Sequence, residues 1–558
     1  MIILIKSLPL LSLILLAACA GKKPAADLVL KNGLIVTIDH DNPRAQAVAV
    51  AGNTIIAVGS NREIERYIRP GGTEVIDLQG KMVCPGFNDA HIHFISSGSA
   101  LDKINLVGIT SYEQMKEKVA AWAGRARPGE WIEGRGWDQT LIEGNEWPTK
   151  EILDEAAPDN PVILRRVDGH SALVNSLVLE KSGITRDTPD PEGGTIVRDP
   201  ATGEPTGIVK EKAVGLIKIP TIAPEEKKRK DRKYLVLALE QAKELGITSI
   251  QQMVGGAELF EEFQQSGKLT LRVYLCARLT DDPETLREYR ETMERYKEYP
   301  LIKFGGLKAF IDGTLGSQTA ALFEPFSDNP ATSGLLMMPA GELDKKVLAA
   351  DKEGFQICVH AIGTRGNHLV LNAYQKAAEV NGKRESRHRI EHTQILIKDD
   401  LPRFRELGVV ASMQPTHCIT DRKYAEKRLG RERCRYAYAW KSILISGGRI
   451  AFGTDCPVEP MDPMEGLYAA VSRKDRAGEE GEGWFPEEKL TMEQAIELYT
   501  LGSAYASFEE NIKGSIEPGK LADMVVLSNN LLETPENEIM KTRVLFTIFN
   551  GRVIYRNN

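Results

Sequence analysis

The chain carries no surplus of positive charge. Lys and Arg number 71 against 78 Asp and Glu, a formal net charge of −7 over 558 residues. A protein that binds through phosphates wants a basic stripe, so nucleic acid is not an expected partner. Cysteine is sparse too, seven in all, with no Cys-x-x-Cys. Beyond Cys19, the thiols of Cys84, Cys276, Cys358, Cys418, Cys434 and Cys456 show no disulfide-framework spacing. Those inside predicted strands read as small buried hydrophobes. Heptads and short-period repeats are missing. The apolar stretch Leu8–Ala18 behind Lys6 is too short to span a bilayer comfortably and reads as the core of an export signal.

That stretch ends in Leu16-Ala17-Ala18-Cys19, which resembles the bacterial lipobox. The resemblance implies a lipoprotein signal peptide over 1–19, with Cys19 lipidated and serving as the mature N-terminus. More than one acyl chain is enough to hold a soluble body at a membrane. Ala20 after the Cys resembles the sorting signal for the outer membrane of a Gram-negative source. The alternative is a plain secretory peptide with an accidental Cys.

What remains has the composition of a folded enzyme, 42% apolar and 27% charged, long enough for one large domain with additions. Strand-like and helix-like stretches alternate. The expected strands are Met82–Phe87, Ile247–Met253, Leu271–Ala277, Ile302–Phe310, Phe355–His360, Arg387–His392, Val409–Gln414 and Arg449–Thr454. Helical segments lie between them, and Gly246, Gly354 and Gly408 stand where helix C-caps belong. Eight such units make a TIM (β/α)8 barrel of the α/β class, whose chemistry sits at the C-terminal strand ends. The barrel is assigned to 82–509. Short alternating runs with Asn-Gly and Gly-Asn turns at both chain ends predict one flanking β-sandwich over 27–81 and 510–558. Residues 102–224 form a large insertion after strand one. It holds Trp131, Trp137 and Trp147 and is expected to cap the active site.

The side chains that carry chemistry fall on the strand ends. His91 and His93 are two apart, on one face, within reach of one cation. Lys308, His360, His392 and Asp455 follow on later strands. Any one of these histidines alone reads best as a hydrogen-bonded or solvated side chain; their occupation of five strand ends in barrel order is what points to a metal. Asp455 serves as ligand and as acceptor of the attacking water's proton. A protonated Lys308 cannot ligate. Burial lowers its pKa, and the neutral amine can add carbon dioxide to give a carbamate able to bridge two cations. The alternative is an unmodified lysine that binds a substrate carboxylate or caps a helix.

The runs Pro85–His93, Gly136-Trp137-Asp138, Asp168-Gly169-His170-Ser171, Lys308–Gly313, His360-Ala361, Ile390-Glu391-His392, Gln414–His417 and Gly453–Pro460 together resemble the metal-dependent amidohydrolase superfamily. The likeness is to its YtcJ-like branch, which includes N-substituted formamide deformylases. The resemblance covers nearly the whole mature chain. It implies hydrolysis of a carbon–nitrogen bond in a small-molecule amide or N-formyl compound by a metal-bound hydroxide. One or two divalent ions, zinc foremost, are implied, with Asp455 as acid–base. Trp137, His170, Asp312 and His417 are candidates for substrate binding. Deaminase-type relatives carry a catalytic Glu three residues past the strand-five His, where this chain has Gly363; nucleobase deamination is therefore not expected. Two other readings stay open: an ester or lactone hydrolase on the same centre, and a non-catalytic ligand-binding surface lipoprotein. A homo-oligomer is compatible with either.

Overall fold

The computed structural model describes residues 25–166, 171–478 and 481–557. Its centre is a sheet of eight strands: Phe87–Ile92, Ile247–Gln252, Arg272–Arg278, Ile302–Phe310, Gln356–Ala361, Arg389–His392, Val410–Met413 and Arg449–Phe452. They neighbour one another in that order, and each ladder is parallel. Helices such as Pro224–Glu244 and Thr364–Asn381 lie between them. Strand eight returns to strand one at its outer end, where Asp455 N donates to His91 O at 2.7 Å and His93 N to Cys456 O at 3.0 Å. Asp89 adds a side-chain clasp at the same place. It accepts from His91 N at 3.1 Å, Thr454 N at 3.0 Å and Thr454 Oγ1 at 2.5 Å. The TIM barrel expected from the alternation is what the chain forms.

Strand one is the main correction. The run Met82–Phe87 is two pieces, because Met82–Pro85 pairs with Leu34–Val36 and Met524–Leu527 in the flanking sheet. The chain changes sheets at Gly86, whose N–H donates to Asp523 O at 3.0 Å while Phe87 N already donates to Gly246 O. A Cβ at Gly86 would lie 2.2 Å from Thr248 Oγ1, so only glycine fits the crossing. The apolar run is continuous through the switch and gives no sign of it. The other seven strands lie within two residues of their expected ranges.

Both chain ends form two flanking sheets. One has four strands, Thr54–Gly59, Ala47–Ala51, Leu28–Lys31 and Glu74–Asp77; the other has six, ending in Met524–Leu527, Val544–Phe549 and Arg552–Arg556. Their facing sides share a core of Leu30, Val48 and Val50 against Ile35, Val83, Met524, Val526 and Ile548. The sandwich is fastened to the barrel by a buried ion pair, Arg272 Nε to Asp523 Oδ2 at 2.7 Å.

The insertion is a folded unit with its own six-stranded sheet. Ile104, Leu106, Ile132, Leu164 and Trp137 pack in its core. It reaches the barrel mouth where Arg135 Nη1 donates to Pro457 O at 3.3 Å.

A bulge in strand four decides where Lys308 points. Leu275 faces Phe304 but Cys276 faces Gly306, so Gly305 is an extra residue. Before the bulge, Phe304 packs outward on Tyr289 and Phe355. Strict alternation would send Lys308 the same way; the added residue turns it inward. A Cβ on Gly306 would meet Cys276 Sγ at 2.4 Å. Gly306→Val is therefore expected to lower unfolding stability by about 1–3 kcal/mol and to reduce metal per chain. Thermal melts and elemental analysis would check this, and unchanged values for both would show that the bulge does not aim Lys308.

Candidate metal centre

His91 is the penultimate residue of strand one and His93 lies just past its end, and Asp455 follows strand eight with φ of 58°. The imidazole Nε2 atoms of His91 and His93 stand 3.5 and 3.4 Å from Asp455 Oδ1. These three residues can offer donor atoms all within 4.8 Å of one another, and so can His392, His417 and Asp455. The His392 ring lies 4.9 Å from that of His91 and 4.4 Å from that of His360. Lys308 is buried beneath them, its Nζ without a hydrogen-bond partner. All six side chains expected as ligands thus occupy one pocket. His417, expected to bind substrate, joins it with Nε2 at 3.8 Å from Asp455 Oδ2.

Hydrogen bonds at the back of the pocket fix which ring nitrogens carry protons. His91 Nδ1 donates to Glu391 Oε2 at 2.6 Å, which leaves the Nε2 lone pair facing Asp455. His392 Nδ1 donates to Gln414 Oε1 at 2.8 Å, and the Gln414 amide is oriented by its own donation to Ser412 O. A carbonyl only accepts, so His360 Nε2, 3.1 Å from Gly313 O, bears the proton and its Nδ1 is bare. The bare His91 Nε2 therefore faces Asp455 Oδ1, a buried oxygen that receives no hydrogen bond, with the His392 and His360 rings next in line. Acceptors collected in this way repel one another unless a cation lies among them. Nitrogen and carboxylate donors suit a divalent ion of the zinc type.

Charge states agree. Burial, with Lys308 nearby, lowers His91 to about 4 and His360 to about 3. Burial and the adjoining His360 take His392 well below its usual value. Neutral imidazoles are what ligation requires. Burial opposes the charge on Asp455, and its value of about 2 depends on positive charge at the adjoining His93, His91 and His417 rings; with those rings neutral, a cation has to supply that charge. Desolvation lowers Lys308 despite Glu391 and Asp455 nearby.

Other expected residues fall differently. Asp312 is fully buried and accepts from Ala321 N, Ile362 N and Gly363 N at 2.8–3.0 Å. Its oxygens bind backbone, so it braces the strand-four loop against strand five and does not face a substrate. Burial nonetheless raises it to about 7. Trp137, expected as a pocket wall, is a core residue of the insertion whose Nε1 donates to Leu164 O at 2.9 Å. His170 and Cys19 lie outside the described residues.

The sequence reading missed the roles of Glu391, Arg389 and Gln414. Arg389 is wholly buried, 2.8 Å from Glu391 Oε1, and donates to Ala90 O, Ser412 Oγ and Gln251. Two opposite charges two residues apart, hence on one face of a predicted strand, were the available signal. By the same alternation His392 belongs on the outer face; φ values of 77° and 46° at His392 and Thr393 turn it back into the pocket. Gln414→Leu removes the acceptor that orients His392. It is expected to weaken metal affinity by about 10–100-fold while leaving the circular dichroism spectrum unchanged, as chelator competition would reveal.

Comparison with known proteins agrees with this geometry. The chain is 35% identical to the protein LONG AFTER FAR-RED 3 of Arabidopsis thaliana, over 95% of this chain and 92% of that one. It is 31% identical to the putative amidohydrolase YtcJ of Bacillus subtilis, over 94% and 99%, and 27% identical to the N-substituted formamide deformylase of Arthrobacter pascens, over 95% and 98%. Among solved structures, a metal-dependent hydrolase from Pyrococcus furiosus superposes with a TM-score of 0.69 at 31% identity, covering 91% of this chain and all of that one. The sequence model described as "Amidohydrolase family" matches residues 74–555, and the chain belongs to that family of metal-dependent hydrolases.

Proposed function

We propose that the protein hydrolyses a carbon–nitrogen bond of a small amide or N-formyl compound. The observation that carries this reading is the grouping of His91, His93, His392 and His417 ring nitrogens around Asp455, whose Oδ1 has no donor of its own. His91, His93, His360, His392 and Asp455 would hold one or two divalent cations, zinc foremost. When bound, such ions supply polarisation of a carbonyl and a lowered pKa for water. Asp455, ionised at neutral pH, accepts the proton of the attacking water and returns it to the leaving nitrogen. His417, with Nε2 aimed toward Asp455 at 3.8 Å, is placed to hold the substrate oxygen. The lowered pKa of Lys308 favours the free amine that adds carbon dioxide, and a carbamate there brings two oxygens toward the histidines.

Gly363 supports amide hydrolysis over nucleobase deamination. A Cβ at that position would lie 2.1 Å from Ala321 O, so the packing admits no catalytic carboxylate there. The formamide deformylase among the relatives makes formamides the first compounds to assay. An exported, lipid-anchored location through Cys19 is part of the same proposal. Among the described residues no helix is long and apolar enough to cross a membrane. Attachment would then depend on Cys19, and Cys19→Ala should move the protein from the membrane to the soluble fraction.

The test is a panel of formamides, acyl amides and esters offered to metal-loaded, signal-free protein, with metal counted per chain. Asp455→Asn should cost about 10²–10⁴ in turnover. Lys308→Ala should lose metal, with partial recovery in bicarbonate and a short-chain acid. Undiminished amide hydrolysis by the chelated protein would end the reading, and so would a panel in which only esters turn over.

A further inference from the structure

The same bulge that turns Lys308 inward also turns Phe310, two residues on. The Phe310 ring lies 5.1 Å from the His360 ring, and Lys308 Nζ is 4.9 Å from its centroid. Its surroundings are closed: Lys308 is 3% exposed and His360 7%, yet Phe310 is 43% exposed. Ile311, next along the chain, is buried and packs in the barrel core. Phe310 is therefore left at the mouth, an aromatic surface open to solvent and touching the histidine pocket.

A single exposed apolar side chain usually means little. This one borders a cluster of convergent polar groups, the combination that marks small-molecule sites. Across the mouth Val458, 60% exposed, follows Asp455 and donates its N–H to Asp455 O at 2.9 Å. Strands four and eight lie on opposite sides of an eight-stranded ring, so Phe310 and Val458 flank the pocket. The polar route in runs past His93, whose side chain is 36% exposed.

We infer that Phe310 forms the wall of a substrate subsite for an aryl-sized apolar group attached to the amide that is hydrolysed. This rests on the amide-hydrolase reading and adds the class of substrate. A phenyl or similar group stacks on or edges against the Phe310 ring, with its amide carbonyl directed toward His360 and His392. A competing role for Phe310 is merely to shield Lys308 from water, and it predicts something different: loss of metal without any change in preference between ligands.

Binding separates the two without relying on turnover. Metal-loaded protein, its Phe310→Ala and Phe310→Leu variants, and their metal content per chain are measured, with titration by acetohydroxamate and by phenylacetohydroxamate. The wild-type protein should bind the phenyl-bearing probe tighter by about tenfold, the scale of one aromatic contact. Phe310→Ala should lose that preference while binding acetohydroxamate as before with metal retained, and Phe310→Leu should keep part of it. An equal preference in all three proteins, or none in wild type, overturns the subsite but leaves the hydrolase reading standing. Metal lost from Phe310→Ala, with both probes weakened alike, assigns shielding instead. If neither probe binds the metal-loaded wild-type protein, the metal-centred reading fails and takes this inference with it.

Discussion

Glu391 is shared between two partners inside the barrel, and the pocket above it depends on that sharing. Its Oε2 takes both the Nδ1 proton of His91 and a hydrogen bond from Arg389 Nη2, while Oε1 lies 2.8 Å from Arg389 Nε as an ion pair. Burial alone would neutralise the carboxyl; Arg389 and His91 hold it ionised well below its usual range. Arg389 in turn spends its remaining donors on strands one, two and seven. A buried pair of this kind is weak evidence for net stability, since its desolvation cost is large, but breaking it leaves an uncompensated charge. What it provides is placement. His91 can be only the Nδ1–H tautomer, and strands one and six are held in register below the donor atoms.

Much of the barrel was legible because strand-like and helix-like stretches alternate and five of the eight strands end at or near a chemically loaded residue. His91, His93, Lys308, His360, His392 and Asp455 were found by their place at strand ends, and the structure gathers them. What escaped depends on backbone geometry that residue types do not announce. Met82–Phe87 reads as one strand because nothing in its hydrophobicity marks the change of sheet at Gly86. The Gly305–Gly306 bulge reverses the face of strand four, and a left-handed residue at His392 reverses strand six. Trp137 was misplaced because an aromatic near a functional mouth and an aromatic in a small core look alike in sequence. Only the fold of residues 104–211 as a unit of its own shows which it is.

The pocket is also built to remain uncharged on its nitrogen side. His91, His360 and His392 sit in low-dielectric surroundings with Lys308 below, and both effects disfavour imidazolium. Asp455 is the exception, since its low value depends on positive charge at the neighbouring rings, and with those rings neutral a cation has to supply that charge. Neutral nitrogens beside one ionised oxygen form the electronic arrangement a divalent cation completes.

The pairing of Met82–Pro85 with Met524–Leu527 joins segments from near the two ends of the chain, and this bears on how the molecule is made. During synthesis Met82–Pro85 can pair early with Leu34–Val36, but the strand on its other edge lies far along the chain. A contact of such sequence separation is among the slowest to form. The segment leading into His91 is therefore held on both edges only once Met524–Leu527 has joined it.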